Sequence, residues 1–95
     1  MSVPKVYSPM EPVEICGVTF EVRSLTRAEH FRMQKMVEDK APADESEIAM
    51  IAYATDTAVE EVREWYGNTP GWAIDELIHV ILRVSRLEEG AQKSG

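Results

Sequence analysis

Between Glu11 and Arg23 apolar residues alternate around a Cys16–Gly17 pair: Val13 and Ile15 before it, Val18, Phe20 and Val22 after it. With Cys16 and Gly17 as the central residues of a tight turn, Ile15 faces Val18 and Val13 faces Phe20. Glu14, Thr19 and Glu21 then fall on the other face. Gly17 supplies the positive φ that such a turn needs. This pattern predicts a β-hairpin over 12–23. It also constrains everything after it, because a two-stranded hairpin is marginal alone and needs a cover on its apolar face. No other stretch reads as a strand, so the cover has to be helical.

Helix-start signals recur downstream. Thr26-Arg27-Ala28-Glu29 has capping-box spacing and opens a helix over about 27–40, with Ala28, Phe31, Met33, Met36 and Val37 toward one broad side. Asp44 to Glu47 repeats the signature with Asp44 as cap, predicting a helix over 45–54 that carries Ile48, Ile51, Ala52 and Tyr53. Thr57 to Glu60 repeats it again for a helix over 58–66, with Val59, Val62 and Trp65 or Tyr66 inward and Gly67 closing it. Thr69 caps the longest segment, 70–89, with Pro70 at its first position and Gly90 beyond its end. There Ala73, Ile74, Leu77, Ile78, Ile81, Leu82 and Ser85 recur at helical spacing, on a surface wide enough for a central helix. The expected fold class is α+β, mainly α: an N-terminal β-hairpin followed by a bundle of three to four helices. The chain reads as one domain over 11–90, between a flexible arm (1–10, with Pro4 and Pro9) and a polar tail (91–95).

Composition narrows the function. The hydrophobic fraction of 44% is too high for a chain disordered throughout. No apolar run approaches the roughly 18 residues a membrane span requires, and MSVPKVYSPM lacks the apolar core of a secretory signal. One Cys rules out an internal disulfide framework and fits a reducing compartment. A net charge of −7 and a pI near 4.7 argue against a nucleic-acid partner, which needs clustered cations. The acidity is local. Residues 44–64 hold Asp44, Glu45, Glu47, Asp56, Glu60, Glu61 and Glu64 against Arg63 alone, whereas 26–40 carries a slight cationic excess. Helix dipoles and solvation account for such a stretch, as does a face that repels copies of itself or recruits a basic partner.

Catalytic chemistry finds little purchase. His79 follows Asp75 and Glu76 at helical spacing, but a catalytic zinc needs a third protein ligand and H-E-x-x-H is absent. His30 sits beside Glu29, which the capping box uses, and reads as a surface or boundary residue. Cys16 has no neighbouring base, and Glu14 beside it works against a thiolate. No phosphate-binding Gly-rich loop, G-x-S-x-G or C-x-x-C is present. The expectation is a protein that is not an enzyme, with no cofactor and no metal. Large adaptable side chains point instead to binding: Trp65, Tyr66 and Trp72 lie across the 67–70 turn, and Met33 and Met36 lie in the first helix. Core filling is the plainer role for such residues. In so small a chain, however, they cannot all be sealed, and these five are the candidate partner-binding residues.

Two stretches carry a family resemblance. Gly17 to Glu29, G-V-T-F-E-V-R-S-L-T-R-A-E, and Pro70 to Leu87, P-G-W-A-I-D-E-L-I-H-V-I-L-R-V-S-R-L, resemble the opening and closing segments of tail assembly chaperones of long-tailed bacteriophages (siphophage type). The family's closing helix ends in a Ser-Gly-Leu-like step, where this chain has Ser85-Arg86-Leu87. The resemblance implies a non-catalytic viral protein that binds the helical tape measure protein during tail morphogenesis and keeps it soluble. It also implies contact with the tail tube protein, self-association, residence in the host cytoplasm and absence from the mature virion. No nucleic-acid or membrane partner is implied. The alternatives are a structural head–tail or tail component of a phage particle, and an acidic inhibitor that mimics nucleic acid.

Overall fold

The computed structural model describes residues 9–86, so the arm through Ser8 and the chain from Leu87 onward lie outside the described residues. Two strands, β1 (Glu11–Ile15) and β2 (Val18–Val22), precede four helices: α1 (Arg27–Glu38), α2 (Ala43–Thr55), α3 (Val59–Gly67) and α4 (Gly71–Val84). The fold is α+β, mainly α, as the alternation and the helix spacing require.

The strands pair antiparallel, with Ile15 opposite Val18 and Val13 opposite Phe20. Cys16 (φ 54°) and Gly17 (φ 77°) both occupy the left-handed region, the requirement of a two-residue turn whose twist matches its strands. Ile15 and Val22 are buried and Val13 and Phe20 pack against the core, but Val18 beside the turn stays exposed. Cover at the tip is one-sided: Ile15 is sealed, whereas Val18 opposite it is not.

The core joins Ile15 and Val22 to Ile48, Ile51, Ala52 and Ala54 of α2, Val62 of α3, and Ala73, Ile74, Leu77 and Ile81 of α4. Leu77 and Ile81 are wholly shielded from solvent. The expected centrality of α4 needs correction, because α2 shares that place: it packs on α1, α3, α4 and β2, while α4 packs on α2 and β1. Ile48, Ile51, Ala52 and Ala54 bury around α2, and a helix apolar on several sides is one enclosed on several sides. The Arg23 N–H donates to the Ala54 carbonyl at 2.9 Å, fastening the end of β2 to the last turn of α2.

Only one of the four anticipated side-chain caps forms. Thr26 Oγ1 accepts from the Glu29 N–H at 3.1 Å, and Glu29 Oε1 accepts from the Thr26 N–H at 2.9 Å. Asp44 lies inside the first turn of α2 instead of capping it, with Pro42 at the N-cap. Its carboxylate there still suits the helix dipole. The hydroxyls of Thr57 and Thr69 donate to the carbonyls of Thr55 and Trp65, so these side chains serve the preceding turn and not the helix that follows. Ala58 and Pro70 take those N-cap positions. Helix α4 also ends earlier than Glu89. Ser85 is its C-cap and Arg86 turns left-handed at φ 60°.

The broad inward side expected of α1 is not realised. Met33 is buried and Met36 half-buried, but Ala28, Phe31 and Val37 are exposed. At about 100° per residue, Phe31 lies roughly 200° around the helix from Met33, so both cannot face one partner.

Candidate functional site

An open groove of about 570 Å³ lies between α1, α2 and α4. Leu25, Met33, Val37, Met50 and Leu82 supply its apolar lining, and His30 and Glu38 are among its polar residues. Helical geometry explains the set. His30 lies three and four residues before Met33 and Gln34, and Val37 four and three after them, so the four share one side of α1. Ser46 and Met50 do the same on α2. Two unbranched thioethers give the groove walls that adapt to differently shaped occupants.

The end of the groove near Leu25 is fixed by polar contacts. The Leu25 N–H donates to Ser85 Oγ at 2.8 Å, joining the entry of α1 to the end of α4. Beside it the Arg23 guanidinium forks onto Glu29, with Nη1 to Oε1 at 3.0 Å and Nη2 to Oε2 at 2.8 Å. The same group reaches Asp56 through Nε and Nη2, at 3.0 Å for Nη2 to Oδ1. Asp56 is the left-handed C-cap of α2 (φ 53°), so one arginine ties the hairpin exit, the first turn of α1 and the last turn of α2. The Arg23 hydrogen bonds, joined by the Thr26 N–H, hold the Glu29 carboxyl down at about 2. Reciprocally, the two carboxylates raise the Arg23 pKa still further above neutrality.

Elsewhere the acidic stretch is partly engaged within the fold. Arg63 Nη2 donates to Glu45 Oε1 at 2.7 Å, and the Tyr66 hydroxyl donates to Glu47 Oε1 at 2.6 Å. The Glu47 bond raises the phenol to about 12. Among the described residues no three His, Cys, Asp or Glu side chains gather to hold a metal ion, and no helix is long and apolar enough to cross a membrane.

The five candidate binding residues do not form one surface. Trp72, in the first turn of α4, is 59% exposed. Trp65 is half-buried, its ring edge-on to Phe20 at 5.4 Å between centroids, which makes it a support for the hairpin. Tyr66 packs against the core beside it. Met33 lines the groove, but Met36 is not among the lining residues. Sequence reasoning missed Leu25, His30, Val37, Met50 and Leu82 as groove residues, because the groove exists only where three helices meet. Its apolar spacing places Phe31 inward, yet it stands 56% exposed with the Arg27 guanidinium 5.7 Å from its ring centroid. A cation from the preceding turn over an aromatic face is a common surface pairing. Comparison of the chain with protein-family models, with curated proteins and with solved structures returns no match.

Proposed function

We propose that the chain is a tail assembly chaperone of a long-tailed bacteriophage, which binds the helical tape measure protein and keeps it soluble until the tail tube forms around it. The observation that carries this reading is the open groove walled by Met33, Met50, Val37, Leu25 and Leu82. An amphipathic helix lays its apolar face into such a groove, anchoring side chains three and four residues apart. Trp72, exposed in the first turn of α4 and outside the groove lining, supplies a second apolar anchor of the type that dominates binding energy. The net charge of −7 keeps a complex with an apolar client dispersed through mutual repulsion. In this reading the protein works in the host cytoplasm, makes and breaks no covalent bond, and leaves before the virion is complete.

Co-expression with the tape measure protein tests the proposal. The client should become soluble and co-purify with the chain, and Val37→Glu or Trp72→Ala should reduce recovery without altering the helical circular dichroism. A client equally insoluble with and without the chain would refute the proposal. Finding the chain in purified particles by mass spectrometry would make it a structural tail component instead.

A further inference from the structure

The helix that walls the groove on one side contributes no residue to the contiguous core. Of the twelve residues of α1 only Met33 is buried, and Met33 does not join the contiguous core. Phe31 and Val37 face solvent at 56% and 67% exposure. It packs on α2 along one side, and its polar fastening gathers at its entry: the Arg23 fork on Glu29, with Arg23 itself seated on Asp56 and the Leu25–Ser85 hydrogen bond holding the residues just before its first turn. At its other end the chain turns through Lys40 in the left-handed region (φ 61°) and reaches α2 within the short link 39–42.

We propose that α1 is a hinged lid on the groove, held shut by the Arg23–Glu29–Asp56 latch and turning on the link 39–42. Elements with little apolar burial open locally at a smaller free energy than the core. Breaking the Arg23 grip on Glu29 removes the ion pair that ties the first turn of the lid to the end of β2, and leaves the lid held by its packing on α2. The capping box stays intact, but a lone twelve-residue helix is marginal in water, so the opened lid frays and its amides exchange. Opening widens the groove along Met33 and Val37, where an apolar helix has to enter. The lid follows from how α1 is fastened and holds whatever the occupant of the groove.

Residue-resolved hydrogen exchange on the full chain tests it, with wild type beside Arg23→Lys, which keeps the charge and loses the fork. In the wild type, α1 amides from His30 to Val37 should exchange at least about ten times faster than those of Leu77 to Val84. Arg23→Lys should accelerate the α1 amides roughly tenfold more and change the α4 amides less than about threefold. Equal protection of α1 and α4 in the wild type, or acceleration of both alike in the variant, would overturn the lid. Should Arg23→Lys not fold, Asp56→Asn replaces it. Asn tolerates the left-handed turn and removes only the outer arm of the latch, and the same selectivity for α1 is required.

Discussion

Helices α1 and α4 are of similar length and both flank the groove, yet opposite chemistry holds them. Helix α4 buries Ala73, Ile74, Leu77 and Ile81 against α2 and the hairpin. Helix α1 buries Met33 and relies on one arginine that grips its first turn. Burial of four side chains is worth several kcal/mol and is insensitive to salt and pH, at about 1.5–3 kcal/mol for each large aliphatic group. A partly shielded ion pair is worth less, and its strength depends on the protonation of one carboxylate. The contrast assigns the two walls different roles: α4 is scaffold, and α1 is the wall that yields.

The largest expected effect lies on the scaffold side. Leu77→Asp places an unpaired charge at a position with no solvent exposure, and should cost more than about 4 kcal/mol. Urea denaturation followed by circular dichroism should find no folded baseline, and a cooperative transition near the wild-type midpoint would remove α4 from the core. Trp65→Ala should cost about 2–3 kcal/mol, because it removes the edge-on partner of Phe20 under the hairpin. Trp72→Ala should leave stability within about 0.5 kcal/mol while weakening client capture. Equal loss of stability in the two variants would erase the distinction between the indoles.

Acid should act on the lid first. The folded pKa of Glu29 is about 2 against an ordinary 4.5, so its contribution is complete above about pH 4.5 and is lost as the pH falls toward 2. That contribution is on the order of 2 kcal/mol, after discounting for partial exposure. Exchange of α1 amides, corrected for intrinsic rates, should rise across this window before the α4 amides respond. Arg23→Gln should flatten the dependence. Tyr66→Phe should cost about 1 kcal/mol by removing the Glu47 bond. In the wild type that bond favours the protonated phenol, so its contribution is present below pH 10 and fades as the pH rises toward 12. The smallest effect belongs to Val37→Asp, expected within about 0.5 kcal/mol because the side chain already faces water.

How much of this was legible in the sequence depended on range. The hairpin register and the Thr26–Glu29 box are set by residues within a few positions of one another, and both were readable. The inward stripe of α4 was readable because four strongly apolar positions recur at helical spacing. The caps at Asp44, Thr57 and Thr69 were misread because short polar side chains have several local backbone partners of similar energy, and sequence does not rank them. The latch was out of reach, since Arg23 and Asp56 are 33 positions apart and meet only when α2 packs on β2. The groove was half visible: Met33 was named, but its opposing wall, Leu82, belongs to the last helix. Trp72 was legible as a candidate anchor, and Trp65 as one of two candidates for the inward side of its helix, but the Phe20 ring it meets lies in the hairpin, far off in sequence.

The central claim is that this chain works by lending exposed apolar surface to a helical client, and Trp72 gives it a built-in reporter. The chain has two tryptophans, so Trp65→Phe leaves Trp72 as its single indole. Titrating that variant with a tryptophan-free segment of the tape measure protein should shift the indole emission to shorter wavelength in a saturable manner, as Trp72 leaves water. Saturable binding measured by calorimetry with the Trp72 emission unmoved would contradict the claim for this anchor, and no binding at all would contradict the account as a whole.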